Sequence, residues 1–595
     1  KNFSVIWKVG LYADIAKQKN TCIREETKSL KAWILKKWRH IFMRRYTRRK
    51  ELAPYIVSIL LTMLFVSCDS DGDNGDNGKK RVTDLANLQP LVFMADKDIK
   101  GTVELYVSSE AGDDIKKLSG TLVAGGDVVD FRISPDGRFV AYVADQDTDQ
   151  VFELYVSETD KLIGDKEVKV SATMAGNGIK KIVAGNYAFA WASDSSRIAY
   201  LADQRTAGVI ELFSVLPNGT SNIRLSGNLG SDRDVVEFLW APDTSRIVYL
   251  ANQDFVNALE LYSVLPNVTN SSQKITSGFD PGENVIDFAW APSSQRVAFI
   301  ADKNTPGLFQ LWTTSPTNAN NVLVSSVIPV GDGDVIEFAW APEIGTNRIA
   351  YLADENKDEM FELFTTRGTD PIINLISILQ VDGSDVTEFV WAPTLQSDQL
   401  QIAYIADQEI NDVFELFVSN ETGSFNVKAS GDLVTGGDVL AFQWEPDSTL
   451  IAYNADEDTD NVVELFTTPA PLSANPVEKV SGTMAGFGVE DNFQWADDSS
   501  RIAYLADQDE INVFELYTST PLGSENDQTS GDLVLGGSVA EFKWDPDSEG
   551  LGYIADQDTF GVDELYISSP RGTKNAKVSG EMIAGGSVNR FEWVP

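Results

Sequence analysis

Short apolar runs broken by turn residues recur along the chain from residue 89 onward. In the stretch SSRIAYLADQDEINVFELYTS, residues 499 to 519, two such runs flank an Asp-Gln-Asp turn, and nearly the same text has been repeating since residue 91. Between residues 235 and 275 the runs predict four strands, at Val235 to Trp240, Arg246 to Ala251, Leu259 to Val264 and Gln273 to Ile275. Ala-Pro-Asp, Asn-Gln-Asp and Pro-Asn separate them, residues that preset φ or cap a bend with a side-chain oxygen. No segment after residue 90 holds a helical period for long, so the pattern predicts an all-β fold.

Aligned on an Ala-Asp or Ala-Asn step, the units place Asp96, Asp145, Asp203, Asn252, Asp302, Asp354, Asp407, Asp456, Asp507 and Asp556 at one position, 49 to 58 residues apart. A tryptophan ends the first strand of nine of the ten units, from Trp191 to Trp593, and Ile133 stands there in the other. Ten units of four strands read as blades of a β-propeller over residues 89–595. The series opens on a second strand (QPLVFMAD) and stops on a first strand (NRFEWVP), so the last strand is expected to complete the opening blade and leave no free edge. One ring of ten blades is the preferred arrangement. Two smaller propellers in tandem share the same phase, with the 58-residue step around NGIKKIVAGNYAFAW as their seam.

The turn and strand of Ser134 to Asp145, SPDGRFVAYVAD, resemble the WD40-like repeat of TolB-type propellers, and WEPDSTLIAYNAD (444 to 456) and WDPDSEGLGYIAD (544 to 556) repeat it with Asp-Ser for Asp-Gly. The resemblance covers the whole repeat region. It implies the fold but no single activity, because the same blades serve transport-associated scaffolds and the substrate-gating halves of peptidases. No helical domain like that of TolB is visible, so a role in the Tol system is not implied. The repeats run to the last residue given, without an appended hydrolase domain.

Charge divides the chain. Up to Ser67 there are 15 Lys and Arg against 4 Asp and Glu, and from Cys68 onward 33 against 85. Met43 opens MRRYTRRKELAPYIVSILLTMLFVSCDS, a basic start and an apolar run too short for a comfortable membrane span. With cysteine at the break, residues 43–67 resemble a bacterial lipoprotein signal, although Phe65 stands where that family prefers leucine. The resemblance implies that Cys68 is lipidated. Residues 1–42 are expected to precede the true start, and residues 68–88, beginning DSDGDNGDNGKK, form an acidic tether. The expected location is the bacterial cell envelope, membrane-attached through the N-terminal lipid, on a periplasmic or outer-surface leaflet.

The strongly acidic remainder excludes nucleic acid as a partner and favours cations or basic partners. His40 is the only histidine, and beyond Cys68 there is no thiol. Ser-His-Asp and Cys-His catalysis, His-ligated metals and disulfides are thereby excluded from the repeats. No enzyme is expected. A monomeric protein-binding scaffold for other envelope proteins is the first reading; a calcium-dependent adhesin and a glycan-binding or glycan-degrading propeller using paired carboxylates are the alternatives.

Candidate chemistry rests on the repeated acids. The Ala-Asp position and frequent partners two residues on offer the pairs Asp145 and Asp147, Asp456 and Asp458, Asp507 and Asp509, and Asp556 and Asp558 as calcium sites, with no other cofactor expected. A Glu series (Glu104, Glu153, Glu211, Glu260, Glu362, Glu415, Glu464, Glu515, Glu564) accompanies them, with Gln310 in the remaining unit. The structural reading is preferred: each Asp caps a turn, and each Glu meets backbone or an arginine such as Arg197, Arg246, Arg296, Arg348 or Arg501. A residue present in every blade serves what every blade shares. The tryptophans are expected in the core between blades rather than on a glycan platform. Asymmetry is expected at Trp312, at residues 176 to 187 with Lys180 and Lys181, and at residues 378 to 385.

Overall fold

The computed structural model describes residues 85, 88–109, 112, 114–160, 167–182, 186–326, 333–343, 345–395, 399–470 and 477–595; Cys68, the leader and nearly all of the tether lie outside them. Among these residues the chain forms ten four-stranded antiparallel sheets and no α-helix. Numbered along the chain, blade 1 joins Leu91–Ala95, Glu104–Ser108 and Ile115–Lys117 to Val588–Trp593, which pairs with Leu91–Ala95 as its first strand. Blades 2 to 10 each take four consecutive strands, with first strands beginning at Val128, Phe189, Val235, Val285, Val335, Val386, Val439, Val489 and Val539.

Second strands such as Ile198–Ala202 are buried at every position, because a strand in mid-sheet with a blade on either face needs an apolar run rather than an alternation. Ten apolar clusters follow, one for each pair of adjacent blades. Blade 1 takes part in two of them: Phe93, Phe591 and Trp593 pack on Ile554 and Leu565 of blade 10, while Val92, Met94 and Leu105 pack on Val128 and Phe131 of blade 2. The ten blades therefore close one ring, and the tandem arrangement is excluded. The long step is not a seam either. Ile179 bridges Ala202 and Phe189 pairs with Tyr200, so the extra residues are an excursion within the first strand of blade 3, and blade 2 packs against that blade like any other.

The tryptophans fasten the ring, as expected of inter-blade core. Each of the nine indoles that end a first strand donates its N–H to a backbone carbonyl on the first strand of the preceding blade, from Trp191 to Arg132 at 3.0 Å round to Trp593 to Lys543 at 3.2 Å. Ile133 interrupts this series between blades 1 and 2. There an ion pair between Arg590 and Asp130, 2.8 Å, joins the two first strands. Further out, a second-strand aromatic stacks on a third-strand aromatic, as Tyr142 does on Tyr155 with centroids 5.3 Å apart. Trp312 lies buried opposite Phe299, at the blade 5 position of these third-strand aromatics, so it is core.

Candidate functional site

Each residue of the Ala-Asp series staples two turns on the same face of the disc. Asp145 accepts the Asp127 N–H at 2.7 Å, where the chain enters its first strand, and the Gln150 N–H at 2.9 Å, across the turn between the second and third strands. Asp456 repeats this with Asp438 and Asn461, Asp507 with Gly488 and Asn512, and Asp556 with Ser538 and Gly561. Both carboxylate oxygens are engaged by backbone. The glycines of the LVAGGDV series belong to the same turn: Gly125 and Gly436 have φ of 86° and 94°, and a Cβ at Gly437 would meet the Asp456 carbonyl at 2.4 Å.

The partners two residues on do something else. Asp147, Asp458 and Asp558 pair with Lys169, Lys479 and Lys577 on the fourth strand, at 3.2, 3.3 and 3.0 Å. Asp509 meets no such lysine and accepts the Tyr517 hydroxyl at 3.2 Å. Each lysine also pairs with the Glu of its blade, Glu153, Glu464 or Glu564. No group of three or more Asp, Glu, His or Cys among the described residues is placed to hold one metal ion.

The expected arginine partners of the Glu series are a correction. Arg197, Arg246, Arg296 and Arg501 reach third-strand hydroxyls instead, on Ser214, Ser263, Thr313 and Thr518. The two groups lie at opposite ends of the third strand, which is why they cannot meet. The true partner sits on a fourth strand only two or three residues long, too short to stand out as a strand. In four blades its signal was a shared offset: Lys117, Arg224, Lys428 and Lys577 each follow their Glu by thirteen residues, while Lys169, Lys274 and Lys479 follow theirs by sixteen, fourteen and fifteen.

Charge on the first strands is unevenly shared. Blades 10, 1 and 2 carry an interlocked set in which Glu592 takes Lys543 and Arg590 at 3.0 Å each, Arg590 continues to Asp130, and Arg132 lies over the Phe189 ring of blade 3. Against the desolvation of its half-buried site, Lys543 and Arg590 together hold the Glu592 carboxyl below its usual range. Blades 4 to 7 carry Glu237, Asp287, Glu337 and Glu388 at one equivalent position. Within the blade 3 excursion, burial pushes the Lys180 ammonium down to about 8, opposed by Asp234 and Glu237.

On blade 9, burial and then the neighbouring Asp491 push Glu490 up to about 7. A carboxyl raised in the folded state contributes stability below its unfolded value, near 4.5, and loses it as pH rises through about 7. Glu490→Gln is therefore expected to raise Tm at pH 8 and to leave it unchanged at pH 4.5, as read by differential scanning calorimetry.

The face that carries the Asp-stapled turns is itself asymmetric. At its tips blades 9, 10 and 1 expose Phe487 and Ile511, Leu535 and Phe560, and Ile583 and Ile99, with Leu535 90% and Phe560 67% exposed. Blades 2 and 8 hold Asp149 and Asp460 at the position of Phe560, and blade 8 holds Thr435 at that of Leu535. Within a blade the apolar residues adjoin: a Cβ at Gly536 would touch the Phe560 ring at 3.3 Å, and one at Gly486 would touch Ile511 at 3.3 Å. Blade 7 adds Ile378, from the segment 378 to 385, and Ile410. Nothing in the sequence pattern distinguished these tips: Ile99, Ile511 and Phe560 are single apolar residues within polar turns, and Leu535 and Ile583 belong to short apolar runs that read as strand approaches.

No family model and no curated protein matches the chain. Similar solved structures include a eukaryotic initiation factor (10% identity, 86% of this chain and 99% of that one, TM-score 0.43). The dipeptidyl peptidase 4 of Porphyromonas gingivalis is similar at 11% identity, over 71% of this chain and 64% of its own, with a TM-score of 0.42. A putative TolB from Agrobacterium tumefaciens is similar at 11% identity over 49% of this chain and 88% of its own, with a TM-score of 0.25. At such identities and scores these likenesses bear on neither activity nor ligand.

Proposed function

We propose that this protein is a lipid-anchored propeller of the bacterial envelope that binds other envelope proteins and catalyses no reaction. The observation that carries the reading is the arc of exposed apolar tips on blades 9, 10 and 1. Large exposed apolar groups in adjoining loops of an otherwise charged surface mark protein contact sites. The positions of Leu535 and Phe560 are free of structural duty, because blade 8 fills them with Thr435 and Asp460. The surrounding exposed carboxylates, Asp509, Glu510, Asp532, Asp558, Glu581 and Asp98, outnumber the lysines Lys97 and Lys100 and favour a basic partner.

The anchor fits this orientation. The chain enters the disc beside Asp545 and Asp547, where the Gln89 N–H donates to Asp545 at 3.1 Å, in the turn between first and second strands. That turn lies on the face opposite the apolar tips. The 21 residues from Cys68 to Leu88 reach about 70 Å when extended, enough to stand the disc off a bilayer with its tips outward.

Crosslinking and affinity capture from native envelopes, with a tag after Pro595, tests the proposal. The unaltered protein is expected to recover one or two stoichiometric envelope proteins. A triple variant, Ile511→Asp, Leu535→Thr and Phe560→Asp, is expected to lose at least nine-tenths of that recovery while keeping its Tm. Recovery of lipid and cell-wall material alone would sink the reading.

A further inference from the structure

Blade 9 breaks the pattern that pairs fourth-strand lysines with the acids of their blade. Facing the third-strand aromatic, the fourth strand carries Lys117, Lys169, Arg224, Lys274, Lys428, Lys479 and Lys577 in seven blades, Leu323 and Leu375 in blades 5 and 6, and Gln528 in blade 9. Where the cation is missing in blade 5, the acids are missing too: Asn304 and Gln310 replace them. In blade 6, Asn356 replaces one. Blade 9 alone keeps both acids, Asp509 and Glu515, without the cation.

The geometry there is a cleft of about 510 Å³, lined by Gly482, Thr483, Met484, Gln508, Asp509, Tyr517, Asn526 and Gln528. The buried Glu515 accepts the Tyr517 hydroxyl at 2.8 Å and the Gln528 amide at 2.6 Å, and Tyr517 also reaches Asp509. Burial, then the charges of Asp509, Asp532 and Glu510, raise the Glu515 carboxyl above its usual range, while the Tyr517 hydrogen bond opposes the rise. In blade 10 the corresponding Asp558, Glu564 and Tyr566 surround the Lys577 ammonium, which lies 3.0 Å from both carboxylates. The sibling blade thus displays the ligand chemistry that this arrangement accepts.

We infer that the blade 9 cleft binds an alkylammonium group, the side chain of a lysine presented by a partner protein, with Asp509 of the cleft wall as its counter-ion and Glu515 behind the Tyr517 hydroxyl and the Gln528 amide. Met484 at the cleft wall and Phe487 and Ile511 beside it receive the apolar residues that flank this lysine. The inference rests on the protein-binding reading and names the chemistry of its partner segment.

The test uses acetyl-Leu-Lys-Leu-amide as probe, titrated into the full chain and followed by calorimetry. Gln528→Lys, which recreates the arrangement of blade 10, is expected to fold, to raise Tm, and to weaken probe binding at least tenfold. Asp509→Asn and a probe with norleucine for lysine are expected to lose a similar factor. Equal affinity for the norleucine probe, or binding that Gln528→Lys leaves intact, would overturn the inference. The two readings fail separately. If Gln528→Lys still captures the stoichiometric envelope partner, the scaffold stands and the cleft is not its lysine site; if no partner is captured by either form while the probe behaves as expected, the cleft stands and the scaffold falls.

Discussion

Truncation after Ser587 is expected to abolish the cooperative thermal transition and to drive the protein into aggregates. The lost strand supplies five register pairs to Leu91–Ala95 and buries Val588, Phe591 and Trp593. At about 1.5–3 kcal/mol for each large apolar side chain, the loss rivals the roughly 5–15 kcal/mol that holds a typical domain together. It also exposes Leu91–Ala95, an apolar strand, as a free edge for pairing with other chains. Calorimetry and size-exclusion chromatography read the result. A synthetic peptide spanning residues 586–595, added in trans, is expected to restore a soluble monomer. A soluble truncated protein with an unchanged melt would refute single-ring closure.

Asp556→Ala is expected to cost about 3–6 kcal/mol, because hydrogen bonds to a charged acceptor contribute about 1.5–3 kcal/mol each and two backbone donors, Ser538 and Gly561, lose theirs. Asp556→Asn is expected to cost under half as much. Blade 4 already uses Asn252 at this position: its Oδ1 takes the Asp234 N–H at 2.6 Å and its amide turns to the Val256 carbonyl. A calcium role predicts a different ordering, in which Asn is as damaging as Ala and a chelator lowers the Tm of the unaltered protein. Chelator is expected to leave all three melts in place, and denaturant titrations give the free energies.

The proposed scaffold and the blade 9 cleft share one logic. Repetition shows what each blade requires for folding, so a departure that no folding requirement explains points to use. Leu535 and Phe560 depart by adding apolar surface where Thr435 and Asp460 suffice. Gln528 departs by withdrawing a cation from acids that remain.

The sequence alone determined the fold class, the blade count, the phase of closure and the inter-blade place of the tryptophans. It could do so because each is written by local patterning repeated ten times: an apolar run such as IAYLA cannot be satisfied except between two covered faces. The Asp staples were legible for the same reason, being contacts across a turn of five residues. The tertiary structure alone decided that the circle is single, because ring closure is a set of contacts between the two ends of the repeat region. It also decided that Trp312 is core, that the Glu series pairs with fourth-strand lysines, and that the apolar tips adjoin on one face. Those facts depend on which side chains meet across strands and blades, and periodicity along one strand carries no information about the neighbour that the fold brings against it.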